Sequence, residues 1–280
     1  MSQDWSKKEV EIIVEDYFEM LEKELQGIPL NKTAHRKVLS TQLNGRTDGS
    51  IEFKHQNISA ILAKVGQPFI KGYKRMSNYQ QILEEQVIRA LQNHESQLRP
   101  LFEAFSEQAA PKAPYSKPDD YKSCLEDGPV SSSYTEMREP SYKTSFVNYL
   151  EKEQNNRTLG FSGEQFVFDY EGWRLKDIGR GDLVDQIEWV SRQRGDGAGY
   201  DILSRNADGS DRFIEVKTTK LPKESPIFVS VNEVFFAASH AEDFYLYRVF
   251  NFNSQKKLFI RQGNYEDFCF LRPVVFKGMF

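Results

Sequence analysis

Asp201, Glu215 and Lys217 are the residues of this chain whose types and spacing best fit a chemical task. Glu215 and Lys217 are separated by one residue within Arg212-Phe213-Ile214-Glu215-Val216-Lys217-Thr218-Thr219. In an extended strand, positions i and i+2 share a face, so this carboxylate and ammonium point the same way while Ile214 and Val216 face a core. Asp201 lies in the preceding strand-like run Tyr200-Asp201-Ile202-Leu203, and a hairpin between the two runs brings it beside Glu215. Two carboxylates and an ammonium on one face suit a Mg2+ (or Mn2+) centre for phosphodiester hydrolysis. Carboxylates are the hard oxygen ligands that Mg2+ prefers, and two of them leave room for water and phosphate. The metal polarises a phosphoryl oxygen and acidifies bound water. The lysine either stabilises developing charge or orients and deprotonates the attacking water. Glu164, further upstream, is a candidate ligand through water, and the Val216 carbonyl a further metal ligand.

Each residue also fits a structural role. Glu215 and Lys217 fit an exposed, salt-bridged strand face. Asp201 fits a strand-end residue bonded to the Gly195–Gly199 loop. Glu164 fits a helix N-terminus that favours negative charge. Thr218 and Thr219 fit ordinary strand formers. Arg192, Arg194 and Arg248 fit either phosphate contacts or solvated surface charge.

The elements that must position these residues follow from hydrophobic period and punctuation. A helix over Phe146 to Glu153 leads into Gly160-Phe161-Ser162-Gly163-Glu164. Phe166, Val167, Tyr170 and Leu175 then mark a helix that stops near Gly179. Strands are expected at Ile187–Val190, Tyr200–Leu203 and Arg212–Thr219, with Asn206-Ala207-Asp208-Gly209 as the turn of a hairpin. Ser230-Val231-Asn232-Glu233 reads as a capping box opening a helix through about His240. Phe244–Phe250 and Lys257–Ile260 close the series as strands.

This C-terminal half resembles a known family. Gly195-Asp196-Gly197-Ala198-Gly199-Tyr200-Asp201-Ile202 followed by Ile214-Glu215-Val216-Lys217-Thr218-Thr219 is similar to a domain of unknown function found in bacterial and archaeal proteins, alone or beside helicase, nuclease and ATPase modules. Leu159–Glu164, Glu188–Ser191, Ser230–Glu233 and Tyr245–Val249 follow the same pattern in order, so the similarity covers roughly residues 155–280. The family has been grouped with the PD-(D/E)xK, or Mrr-like, restriction-endonuclease-like nucleases. The resemblance implies an α+β nuclease-like core, a mixed sheet flanked by helices, with the superfamily pattern carried here by Glu164, Asp201, Glu215 and Lys217. It implies activity less firmly than fold. By analogy with that fold, a homodimer is expected.

The N-terminal part reads differently. Ser6-Lys7-Lys8-Glu9 fits a capping box, and Val10, Ile13, Val14, Tyr17, Leu21 and Leu25 follow at helical spacing. Further helices are expected near Asn57–Leu62 and from Asn78 to Asn93. Residues 1–30 carry three Lys and eight acidic residues, whereas residues 31–75 carry nine Lys and Arg against two acidic residues. Such a basic helical module suits a nucleic-acid reader, with Lys32, Arg36, Arg46, Lys54, His55, Lys74 and Arg75 as candidate contacts. A basic surface paired with the acidic first helix explains the same asymmetry. His35 and His55 have no neighbours that complete a zinc site. Ser50–Ala60 also resembles amino-terminal targeting regions of restriction-type bacterial proteins, which implies a specificity module.

The chain carries a net charge of −4, so any nucleic-acid surface is local. Two distant cysteines, Cys124 and Cys269, make neither a disulfide framework nor a zinc pair. No apolar run approaches membrane length and no signal-peptide core is present, so a cytoplasmic protein is expected. The expected organisation is a mainly helical DNA-binding domain (1–101), a Pro/Ser-rich linker (102–144) and a nuclease-like α/β domain (145–280). The expected function is Mg2+-dependent cleavage of DNA, double-stranded by preference, in restriction or anti-phage defence. The alternative is a non-catalytic module that binds nucleic acid or a partner.

Overall fold

Helix α1 (Lys7–Leu25) begins where its capping chemistry demands. The Ser6 hydroxyl accepts the Glu9 N–H, and the Glu9 carboxylate takes the Ser6 N–H at 2.8 Å. Its buried stripe includes Val10, Ile13, Val14, Tyr17 and Leu21, and it packs on α3 (Asp48–Lys64), α4 (Gln81–Asn93) and α5 (Glu95–Glu107). The helix expected near Asn57 is the centre of the longer α3, which starts at the Thr47 cap. Ten of its residues are buried, on all sides, so no apolar stripe marks its full length. Helix α2 (Lys32–Gln42) was not anticipated from the sequence, because Leu39 is its one buried residue.

The computed structural model describes residues 4–43, 45–108, 118–129, 146–195 and 197–274. These form two units. One takes its described residues from Met1–Gln108, Thr135–Asn156 and Glu224–Pro226, the other from Ala109–Tyr134, Arg157–Lys223 and Ile227–Phe280. The first unit is helical. The second holds all five strands described.

The expected linker is not a uniform tether. Helix α5 continues to Glu107, with Phe102 buried against Tyr149 at 5.4 Å between ring centres. Helix α6 (Pro118–Cys124) puts Tyr121 and Cys124 into the core of the second unit, and Leu125 bridges to Leu258. Two buried side chains on so short a helix leave too little apolar period to read. Helix α7 (Tyr149–Gln154), expected at the head of the C-terminal domain, belongs to the first unit, where the Leu150 N–H donates to the Gly66 carbonyl. The Ala110–Pro114 and Ser131–Ser133 parts of the linker lie outside the described residues.

In the second unit, α8 (Arg157–Asp177) is followed by a 3-10 helix (Gly181–Gln186), β1 (Glu188–Trp189), α9 (Val190–Arg194), β2 (Ile202–Arg205) and β3 (Asp211–Thr218). Then come α10 (Val231–Ser239), β4 (Phe244–Phe250), β5 (Lys257–Gln262) and α11 (Tyr265–Phe268). The sheet runs β1-β2-β3-β4-β5, antiparallel except for the parallel β3/β4 pair that α10 connects. The Asn206–Gly209 turn closes the hairpin with Gly209 at φ 92°. The expected mixed α+β architecture is what the chain adopts.

Alternation separates two cores. Ile202, Ile214, Val216, Tyr245, Tyr247 and Val249 join Leu159, Phe166, Val167 and Tyr170 of α8. Phe244 and Leu246 join Ala237 of α10 and Tyr265 of α11, with Phe213 packed against them. Strand β4 is buried at all seven positions, as the central parallel partner of a sheet covered on both faces should be. No helix among the described residues is long and apolar enough to cross a membrane.

Candidate functional site

Glu215 and Lys217 lie on the α10 face of β3, the face of Phe213 and opposite Ile214 and Val216. Asp201 directly precedes β2, and its backbone N–H extends the ladder to the Ile214 carbonyl at 2.9 Å. Its side chain is held by the hairpin itself: Oδ2 accepts the Val216 N–H at 2.8 Å. In this ladder the even residues of β3 turn their peptide groups toward β2, so the Val216 carbonyl points to the edge where Asp201 sits.

The group is not an exposed strand face. Glu215 is 4% exposed and the Lys217 side chain 16%. The Lys217 ammonium lies 2.8 Å from Glu215 Oε1 and 2.6 Å from Glu233 Oε2. Burial opposes the charge on Lys217, but Glu215 and Glu233 outweigh it and hold the ammonium above its ordinary range. The carboxyls move the other way. Asp201 is pushed up to about 7, first by burial and then by the charge of Glu164. Glu215 is driven well above the carboxylate range by burial and by Asp201. These acids crowd one lysine in a place that solvent hardly screens.

Glu164 does not sit at a helix N-terminus, because α8 starts at Arg157. Its Oε2 accepts the Trp189 indole N–H at 2.7 Å and the Ser191 hydroxyl. The approach of α8 depends on Gly163. A Cβ there would stand 1.8 Å from Thr218 Oγ1 and 2.8 Å from Thr218 Cβ. Thr218 therefore shapes the seat of α8, and Thr219 is buried with its N–H on the Val249 carbonyl.

Glu233 was legible only as a helix cap. Its backbone N–H does bond to Ser230 Oγ, but its carboxylate also takes the Ser230 hydroxyl at 2.9 Å and clamps Lys217. Tyr265 of α11 is fully buried, and its hydroxyl is pushed up by burial and by the nearby Glu215 and Glu233. Nothing in the sequence pointed to it. Of the three arginines, Arg248 is fully buried in β4 in register with Lys217, Arg194 pairs with Glu188 at 3.1 Å, and Arg192 is exposed.

The basic residues of the first unit turn largely inward. His55 is fully buried, with Nδ1 3.1 Å from the Tyr73 hydroxyl and Nε2 3.5 Å from Asp16. Burial lowers its pKa against the pull of Asp16, opposite to what a cationic phosphate contact requires. Lys54 is 6% exposed and donates to Gln80 at 3.0 Å. Arg46 grips both oxygens of Glu9, at 2.7 and 3.0 Å, and lies over Trp5. Arg36 pairs with Glu52, Lys32 donates to the Lys71 carbonyl beside Tyr73, and Arg75 lies 5.9 Å from the Phe69 ring centre. Lys74 alone of the seven is exposed. Glu9 and Asp16 come from the acidic α1, as does the Glu24 that accepts the Lys71 N–H at 2.9 Å. Much of the charge asymmetry is thus resolved inside the unit.

Neither a curated protein nor a solved structure matches the chain. Residues 163–261, from the glycine before Glu164 into β5, match the family model described as Protein NO VEIN, C-terminal, and over that span the chain is similar to this C-terminal domain family.

Proposed function

We propose that the second unit is a metal-dependent endonuclease centre that hydrolyses phosphodiester bonds in DNA. The observation that carries this reading is the buried set on β3 and at the start of its neighbour β2: Asp201 fixed by the Val216 N–H, Glu215 beside it, and Lys217 on the same face as Glu215. The donors suit Mg2+ or Mn2+. Two carboxylates that burial and neighbouring acids, Glu164 for Asp201 and Asp201 for Glu215, make unfavourable as free anions gain most from a divalent cation. Among the described residues no three His, Cys, Asp or Glu side chains are disposed as a metal cage. Mg2+ commonly takes one or two carboxylates and completes its shell with water and substrate phosphate. Asp201 and Glu215 would hold it, with the Val216 carbonyl directed to the same edge. When bound, the metal supplies Lewis-acid polarisation of the phosphoryl group and acidification of water.

The chain's own residues do the rest. The Val216 N–H fixes the orientation of Asp201. Glu233 and Glu215 keep Lys217 protonated and aimed, so its ammonium serves as an electrostatic and hydrogen-bonding group toward developing negative charge. Glu164, anchored by Trp189 and Ser191, adds negative charge near Asp201.

The test is cleavage of unmodified, methylated and phage-modified DNA by the purified chain with Mg2+ or Mn2+, beside Asp201→Ala and Lys217→Ala. Cleavage that both substitutions reduce at least about a hundred-fold supports the assignment. Absence of cleavage on every substrate, with DNA affinity equal in both variants, refutes it. A second reading, a binding module without catalysis, draws on the double clamp of Lys217 between two carboxylates, and that last result is the one it requires.

A further inference from the structure

Beside Glu164 lies an aromatic stack with one open end. Phe161, one helical turn before Glu164 on α8, stacks on Trp189 with ring centres 5.0 Å apart and planes 25° apart. Phe168 lies along Trp189 as well, at 5.7 Å and 25°. Trp189 is 5% exposed and pinned by its indole N–H to Glu164 at 2.7 Å, whereas Phe161 is 48% exposed. The Arg192 guanidinium stands over both rings, 5.8 Å from Phe161 and 5.4 Å from Trp189. It is exposed and, among the described residues, is bonded to no carboxylate, unlike Arg194, which pairs with Glu188. The stack is also tied to Asp201 through the backbone: Trp189 pairs with Ile202, and the Asp201 carbonyl accepts the N–H groups of Val190 and Ser191 at 2.8 and 3.1 Å.

A flat, partly open ring on a rigid support, with an unspent guanidinium beside it, has the chemistry that receives a nucleobase and its phosphate. In a paired duplex the base faces are covered by their neighbours and only edges and backbone are offered. A ring face is useful only toward a base that has left the stack. Lone exposed phenylalanines are common on protein surfaces. This one differs in lying three residues from an acid of the candidate centre, in being supported by a buried indole that the same acid holds, and in having over its ring an arginine that no carboxylate among the described residues holds.

We infer that Phe161, Trp189 and Arg192 form a base-stacking subsite of the nuclease centre, so that its substrate is DNA with an unpaired nucleotide next to the scissile phosphate, as in a single strand, a flap or a frayed end. This rests on the endonuclease reading for its catalytic consequence, but the binding it requires is measurable without catalysis.

The experiment is fluorescence anisotropy of the full chain, in chelator, with a labelled 20-nucleotide single strand, the blunt duplex of the same sequence, and that duplex bearing a flap. Phe161→Ala, Phe161→Trp and Arg192→Gln are run in parallel, and all are assayed for cleavage with Mg2+. The single strand and the flap should bind at least about ten-fold tighter than the blunt duplex. Phe161→Ala should lose roughly five- to 150-fold of that affinity, the equivalent of one stacked base. Phe161→Trp should keep it, and Arg192→Gln should weaken binding and flatten its salt dependence. Equal affinity for single strand and duplex, or an unchanged affinity in Phe161→Ala, overturns the subsite whether or not DNA is cut. Strand-selective binding that depends on Phe161, with no cleavage, retains the subsite and removes the endonuclease reading alone.

Discussion

Replacing Gly163 by alanine sets two physical effects against each other. Gly163 lies inside the 21-residue α8, where exchange of glycine for alanine ordinarily favours the helix by about 1 kcal/mol. The new methyl, however, would stand 1.8 Å from Thr218 Oγ1, about 1.6 Å short of the ordinary contact that begins at 3.4 Å. Turning Thr218 about χ1 exchanges Oγ1 for Cγ2 but leaves its Cβ at 2.8 Å, and Thr218 is itself only 5% exposed. The helix must therefore move off the strand. Overpacking of this kind costs about 1–3 kcal/mol, occasionally more, so the net effect is a destabilisation of up to roughly 2 kcal/mol. Urea unfolding of the full chain, followed by far-UV circular dichroism and tryptophan fluorescence, reads it. A Thr218→Ala background removes the 1.8 Å contact but not the 2.8 Å one, so the double variant should recover about 1 kcal/mol relative to additivity. Because Glu164 is the next residue, cleavage should fall by more than stability does, since a displacement of about 1 Å costs on the order of a hundred-fold in rate. A Gly163→Ala protein with a higher unfolding midpoint than wild type would refute the close approach of α8 and β3 on which the site is built.

Asp201→Asn should stabilise the metal-free protein at pH 8 and change it little at pH 4. The Asp201 carboxyl is raised to about 7, so the folded state binds more protons than the unfolded state between the two pKa values and wild-type stability falls as pH rises across that window; asparagine lacks the effect, and the difference, on the order of 2–4 kcal/mol, is read by urea titration at the two pH values, a pH-independent difference being the contrary result. Glu233→Gln keeps the bond from its backbone N–H to Ser230 but removes one carboxylate from Lys217; cleavage should fall roughly ten-fold, less than in Lys217→Ala, whereas equal loss in both would deny Glu233 its separate role. Glu9 is held down to about 2, chiefly by its bond to Arg46, so the stability this pair supplies is present above about pH 4.5 and lost as pH falls through about 2; Arg46→Ala should cost on the order of 1 kcal/mol at pH 7 after solvent screening, cost less at pH 2, and leave DNA affinity unchanged.

What the sequence made legible was whatever is decided locally. The Ser6 and Ser230 caps, the Asn206–Gly209 turn and the alternation of Arg212–Thr218 are short-range, and the helix starts, hairpin and strand faces followed from them. The same alternation placed Glu215 and Lys217 on one face, so the centre of the candidate site was visible before its surroundings. What stayed hidden depends on tertiary placement. Arg46 and His55 look alike as cations in a list, but their carboxylate partners, Glu9 and Asp16, lie on another helix, and pairing across helices has no local pattern. Tyr121 and Cys124 sit in a Pro-, Ser- and acid-rich stretch, and their burial follows from the core they enter rather than from their neighbours. Glu233 was read correctly as a cap and incompletely for that reason: nothing in a capping box says where the second carboxylate oxygen goes.

That second oxygen has a consequence for how Lys217 is restrained. Glu233 sits in the first turn of α10, where the unpaired N–H groups and the helix dipole favour negative charge. On the proposed reading, a phosphate that draws the lysine away leaves the Glu233 side chain at a helix start with the Ser230 hydroxyl still on its other oxygen. Glu215, buried in the sheet, has no such refuge and depends on a counter-charge. The two partners of Lys217 thus differ in their surroundings: α10 gives Glu233 a helix start and a hydroxyl, whereas Glu215 lies in the sheet against the lysine itself.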